Sequence, residues 1–367
     1  MTDPLRRLRL CAALIASFLC LAIEPIHAEP ASADDTARYI AGMPVPDSSP
    51  LTPLTKDRGW QQHAGALDQA FAAIEKRQLA PIRTWVAANM KSPQPTLYYM
   101  FSGPDFLYAN AFFPDAKTYV LAGLEPTGEI PDLLKMHRGA AVPGLAHLHN
   151  SIRTLLAVSF FITKEMRENL GDSGLRGTIP ILYVFLARSG KTIRDVDLVL
   201  IDEDGNDRPN TGRGVKSAAH GVKIKFTGAD GGERTLYYFK TDLANGVVNK
   251  SGFLKFLEKL GPANSFAKSA SFLMHSGNFS QIREFLLTHS SAILQDDSGV
   301  PLKAFDMQKW ALQPYGRFAG PNGLFPESHQ PKIAELFKKG SPGKLEFGFG
   351  YSWRPGDSNL LLAIKNP

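Results

Sequence analysis

Cysteine is nearly missing from this 367-residue chain: the two it has, Cys11 and Cys20, both lie in the first 28 residues. Beyond them there is no disulfide, no thiolate metal site and no cysteine nucleophile. The remaining chain must be held by burial alone, and a chain of this length can bury about three quarters of its surface on folding. Basic runs are scarce as well. The formal net charge is +6, yet past the amino terminus no run of lysine or arginine exceeds Lys338-Lys339. That dispersion speaks against nucleic acid as a partner. Past the amino terminus no apolar run approaches the roughly 18 residues of a membrane span; 155–162 and 179–187 are too short and read as core. Neither Gly-x-Ser-x-Gly nor His-Glu-x-x-His occurs, which closes two common routes to hydrolysis.

What is present begins with an amino-terminal export signal. Arg6, Arg7 and Arg9 precede an apolar run over 10–23, the pattern of a cleaved signal peptide. Cleavage after Ala28 or after Ala33 fits the small-residue rule. Loss of residues 1–28 would leave a periplasmic or secreted protein of net charge about +5. The segment 29–58, with Pro44, Pro46, Pro50 and Pro53, reads as an extended Pro/Ser-rich arm. Residues 59–367 read as a single domain.

Within that domain, helical spacing marks two helices from Trp60 onward. The apolar run 97–101, a helix over 106–113 and a second apolar run over 118–124 form a Rossmann-like strand–helix–strand unit, whose strands are expected to be parallel. Helices are expected over 130–136, 147–170, 253–260, 266–274 and 279–289. Strands are expected over 179–187, 292–295, 310–318, 345–351 and 359–364. The stretch 195–242 reads as antiparallel hairpins. The fold class is therefore α/β, with a mixed sheet and an antiparallel hairpin insertion.

Candidate chemistry gathers at the strand ends. The turn Ser102-Gly103-Pro104-Asp105 sits where nucleotide-binding and methyl-transfer folds keep a glycine-rich loop, and Glu125 sits where they keep a ribose-binding acid. One glycine alone is present, and Pro104 offers no N–H to a phosphate. The same residues can simply cap the next helix, with Ser102 as cap and Asp105 complementing the dipole. His275, in a loop beside a glycine, is a candidate general base. Asp296 and Asp297 point to opposite faces if the strand continues, so they form no acid pair; Asp297 is the one assigned to the rim. Gly190-Lys191-Thr192 lacks the first glycine of a phosphate loop and reads as a turn. The acidic run 202–207 lacks the twelfth-position acid of a calcium loop and reads as a hairpin tip. His147 and His149 diverge on a helix, so no metal is expected there, and no cofactor loop is complete.

The segments Phe-Ser-Gly-Pro-Asp at 101–105, Gly-Leu-Glu-Pro at 123–126, Leu-Tyr-Tyr-Phe at 236–239 and Ile-Leu-Gln-Asp-Asp-Ser-Gly at 293–299 resemble a family of exported bacterial proteins. The likeness spans most of the chain, which implies a single evolutionary unit, and it carries over no catalytic residue. The expected role is binding, with hydrolysis as an extension, of a small polar ligand or cell-envelope fragment at a rim of Ser102, Asp105, Glu125, His275 and Asp297. A non-catalytic interaction protein, and a degenerate methyl-transfer fold without its cofactor, are the alternatives.

Overall fold

The computed structural model describes residues 30–91, 93–136, 141–161, 174–211, 219–323, 325 and 329–366. Its strands are β1 (Thr96–Tyr99), β2 (Thr118–Gly123), β3 (Thr192–Ile201), β4 (Asp207–Pro209), β5 (His220–Thr227), β6 (Glu233–Lys240), β7 (Ala263–Ala267), β8 (Ser290–Gln295), β9 (Trp310–Gly316) and β10 (Asn359–Lys365). The α-helices among the described residues are α1 (Ala33–Ile40), α2 (Arg58–Ile74), α3 (Ala80–Asn89), α4 (Phe106–Phe112), α5 (Ala141–Val158), α6 (Ile179–Arg188), α7 (Asn245–Val248), α8 (Phe253–Lys259), α9 (Ser280–His289) and α10 (Pro331–Lys339).

All ten strands join one mixed sheet in the order β4-β3-β5-β6-β2-β1-β7-β8-β10-β9. The five central strands, β6 to β8 in that order, are mutually parallel. β10 runs antiparallel to both β8 and β9. β3, β4 and β5 add an antiparallel extension beside β6. The expected strand–helix–strand unit is present: Leu97 pairs with Tyr119 and Tyr99 with Leu121, in parallel, across α4.

Alternation along these strands feeds two cores. Leu97, Tyr99, Tyr119 and Leu121 face α1 to α6, whereas Tyr98, Met100, Val120 and Ala122 face α7 to α9. Covering both faces explains why β1 is buried at every position and reads as an unbroken apolar run. The crossover from β1 to β2 carries α4 on the first face, and that from β7 to β8 carries α9 on the second. Neighbours β1 and β7 thus send their chains in opposite directions, which makes the edge beyond their carboxyl ends a topological switch point.

Several expectations are corrected. An extended arm was expected over 29–58, but the described residues 30–58 do not form one: Ser32 caps α1, and Tyr39, Ile40 and Leu51 are buried in the first core. Pro53 opens a 3-10 turn, Thr52–Lys56. Residues 179–187 form a helix, not a strand. A run that is apolar on every side has no periodicity, and a fully buried helix looks the same as a fully buried strand; Pro180 in the first turn was the remaining cue. Gly190 and Lys191 therefore turn from helix to strand rather than between strands. The stretch 266–274 divides into β7 and a 3-10 segment, Ser269–His275. Residues 130–136 form no helix, with a turn over 133–135, and 345–351 contribute one isolated bridge, at Phe349. The part of the 147–170 helix beyond Phe161 lies outside the described residues. The hairpin tip at Asp202 is as expected. Its carboxylate accepts from the backbone N–H of Asp204 and Asn206 and from Arg208, so its oxygens are occupied by the turn.

Candidate functional site

Beyond the switch point lies a cavity of about 210 Å³. Its wall is made where parallel strands end: Phe101, Ser102 and Gly103 after β1, Leu124 and Glu125 after β2, Thr241 and Asp242 after β6, Lys268 and Ser269 after β7. Sequence-distant residues meet here because parallel strands bring all their carboxyl ends to one edge.

Two glycines let the loops close in. Gly103 has φ +57°, and a side chain on Gly123 would strike the Glu125 carboxylate, the Gly103 backbone and the Tyr238 hydroxyl. The Ser102–Gly103 turn and Glu125 thus pack against each other without an intervening side chain. Phe101 and Ser269, at the ends of neighbouring β1 and β7, both carry positive φ, near +60° and +58°. Left-handed backbone in a residue with a Cβ costs of order 1–3 kcal/mol and persists where surroundings enforce it, commonly at binding sites. Thr241 and Ser269 also hold buried hydroxyls that form no hydrogen bond among the described residues.

Asp105 is the N-cap of α4, accepting from the Tyr108 N–H at 3.1 Å. Its other oxygen accepts from the Tyr99 hydroxyl at 2.9 Å and pairs with the Lys268 ammonium, also at 2.9 Å. Asp105 is 1 % exposed and Lys268 2 %. Burial pulls the Lys268 ammonium below its ordinary pKa, and the Asp105 charge opposes that shift. The same ammonium donates to the Ser159 carbonyl and sits 4.1 Å from the Tyr108 ring centre. Burial, reinforced by the Asp105 charge, raises the Tyr99 hydroxyl well above its usual range, so it stays a donor.

Ser102 is not the helix cap. Its hydroxyl donates to the Gly103 carbonyl at 2.7 Å, and its N–H donates to Ala122 at 2.9 Å, joining the turn to β2. Glu125 is 5 % exposed. It accepts from the Tyr238 hydroxyl, which also reaches the Glu125 carbonyl, and it has no cation within ion-pair distance among the described residues.

Ser102, Asp105 and Glu125 therefore come together as the sequence suggested. His275 and Asp297 do not join them. His275 binds the Gly299 carbonyl at 3.0 Å beside a separate depression formed with Pro301, Lys303 and His329. Burial lowers its pKa to about 4, so at neutral pH it is an uncharged, structural ring. Asp297 turns away to accept from Asn359 at 3.0 Å. Asp296 is buried, accepting from the Ser298 N–H and hydroxyl. Burial, then the neighbouring Asp297 charge, raises its carboxyl to about 7, while Lys268 pulls the other way. β8 ends at Gln295, so both acids lie in the turn after it, and neither is among the described residues lining the cavity.

Sequence reasoning missed Lys268, Thr241 and Asp242. Lys268 was hidden because β7 is Ala-Asn-Ser-Phe-Ala, small and polar residues of weak strand preference. The available signal was that Lys268 is the sole Lys, Arg, Asp or Glu between Lys259 and Arg283. No helix among the described residues is long and apolar enough to cross a membrane. No protein-family model matches the chain, and no curated protein or solved structure is significantly similar to it.

Proposed function

We propose that this chain is an exported protein that binds a small ligand, or a fragment of a cell-envelope polymer, in the cavity at the switch point. The observation that carries this reading is the meeting of four strand ends around that cavity, two of them in left-handed backbone at non-glycine residues. Binding is favoured over hydrolysis. The Ser102 hydroxyl is committed to a backbone carbonyl, and no histidine is among the described residues lining the cavity to activate it. Export rests on the amino-terminal sequence. Cleavage after Ala28 is the better of the two positions, because cleavage after Ala33 would remove the Ser32 cap of α1.

A thermal-shift panel on the protein lacking residues 1–28, covering sugars, muropeptides, amines, nucleotides and divalent metals, tests this. A ligand raises the midpoint in proportion to the logarithm of its concentration above Kd. Leu273, 43 % exposed at the cavity wall, gives the control: Leu273→Trp should abolish the shift with little loss of stability. A shift that survives this substitution would place binding elsewhere.

A second reading, a relative of methyl-transfer folds that has lost its cofactor loop, is favoured by strand order. Numbered among themselves along the chain, β6-β2-β1-β7-β8-β10-β9 run three-two-one-four-five-seven-six with the seventh antiparallel, the arrangement of those folds. This support is architectural only. Glu125 stands where such folds hold a ribose, but the Ser102-Gly103-Pro104 turn lacks their glycines. Including the sulfonium methyl donor in the panel decides whether the cofactor site persists.

A further inference from the structure

We propose that the ligand of this cavity is a small organic cation, a primary or secondary ammonium on a short carbon skeleton; the inference rests on the binding reading above. Charge accounting leads to it. The described lining residues hold three carboxylates, Asp105, Glu125 and Asp242, against one ammonium, Lys268. Lys268 is used up: it is buried, paired with Asp105 and bound to the Ser159 carbonyl. Glu125 is left 95 % out of contact with solvent, with one neutral hydroxyl as its partner. Tyr238 shares that one proton between the Glu125 carbonyl and Oε2, and no described residue donates to Oε1. Buried carboxylates are ordinarily paired with a cation, because burial without a countercharge is costly. Here no described residue supplies one.

The walls fit the same occupant. Phe101 packs edge-on against Phe279 at 5.7 Å, and Phe160 against Tyr351 at 4.8 Å, and all four line the cavity. Aromatic faces attract a desolvated cation and accept its carbon skeleton. Asp242, at the exposed lip, accepts from the Ala244 N–H and adds a second negative charge on the way in. An anionic ligand would add like charge to this site, and a neutral one would leave Glu125 uncompensated.

The test compares amines with neutral isosteres by titration calorimetry on the protein lacking residues 1–28. Glucosamine is set against glucose, putrescine against 1,4-butanediol, and choline against 3,3-dimethylbutanol, with N-acetylglucosamine and a sulfonium nucleoside as further arms. These arms separate amino-sugar, polyamine, quaternary-ammonium and nucleoside sources of the same charge. At least one primary or secondary amine should bind about tenfold or more tightly than its isostere. Glu125→Gln should remove that preference while leaving the isostere within about twofold. If Glu125→Gln does not fold, Asp242→Asn at the exposed lip decides, with about a threefold loss expected for the amine alone. Equal binding of amine and isostere, or a preference untouched by a folded variant, overturns the cation, and choline outbinding the amines overturns the primary or secondary ammonium in favour of a quaternary one. A neutral or anionic ligand that shifts wild type but not Leu273→Trp overturns the cation and leaves the binding reading standing. Silence of every probe overturns both.

Discussion

Each polar residue at the strand ends has one of two fates, and its partners decide which. Asp105 and Lys268 are spent on each other, so they hold β7 to the start of α4 rather than greet a ligand. Removing one member of a buried pair leaves the other uncompensated and typically costs about 3–5 kcal/mol. Lys268→Met and Asp105→Asn should each lose stability of that order in urea unfolding. The double variant should be far more stable than the sum of the two predicts. A purely additive cycle would show that the pair carries no coupling. Asp296 and His275 give a pH signature of opposite signs. Asp296 is held near 7 in the fold against 3.8 ordinarily. The native chain therefore keeps a proton that the unfolded chain releases, and this contribution is lost as pH rises from about 4 to about 7. His275 is held near 4 against 6.5, so its contribution is present above 6.5 and lost as pH falls toward 4. Asp296→Asn should gain on wild type, and His275→Gln should lose its relative deficit in the opposite direction, as judged by urea midpoints between about pH 5 and pH 8.

At the scale of elements, amphipathic segments declared themselves and uniformly buried ones did not. α2, α9, β5 and β10 were legible because one face differs from the other, or because turn residues bound them. α6 and β7 were not. α6 is apolar on every side and presents no period, while β7 has too few large side chains to mark a strand although it is the partner of β1. The segment 29–58 misled for a related reason. Proline, serine and threonine suggest an open chain, yet Tyr39 stacks on Trp60 at 5.5 Å, and the Trp60 and His63 rings bind the carbonyls at the end of α1. Because α1 is packed, its cap should matter. Ser32 accepts from the Asp35 N–H at 3.0 Å, and Ser32→Ala is expected to cost about 1 kcal/mol in chemical denaturation. An unchanged midpoint would mean that α1 is held by packing alone.

From Ala31 onward the described residues build one sheet clothed on both faces, and its elements share cores rather than stand apart. The antiparallel strands β3 to β5 illustrate this. Val222, Ile224 and Phe226 of β5 belong to the same core as Tyr119 and Phe106, so the hairpins extend the sheet and are not a detachable insertion. Unfolding followed by circular dichroism and by tryptophan fluorescence should therefore give coincident single transitions. A separate early transition, localised to 192–227 by hydrogen exchange, would contradict that unity. The cavity is a property at this scale too. It exists because the crossovers after β1 and β7 depart to opposite faces, leaving an edge that neither helix fills.

By itself the sequence determined the local unit: strand, turn, short helix and strand over 96–123, with Ser102, Asp105 and Glu125 close at its open end, although it gave the helix cap to Ser102 where the structure has Asp105. Short-range spacing and turn chemistry suffice for that, since every partner lies within thirty residues. Tertiary structure alone decided which of those groups remain unpaired. Lys268 comes from 163 residues beyond Asp105 to neutralise it, Tyr238 comes from 113 residues beyond Glu125 and brings no charge, and Asn359 draws Asp297 away from the rim. Charge compensation acts through space, so no pattern along the chain reveals which carboxylate is left for a ligand.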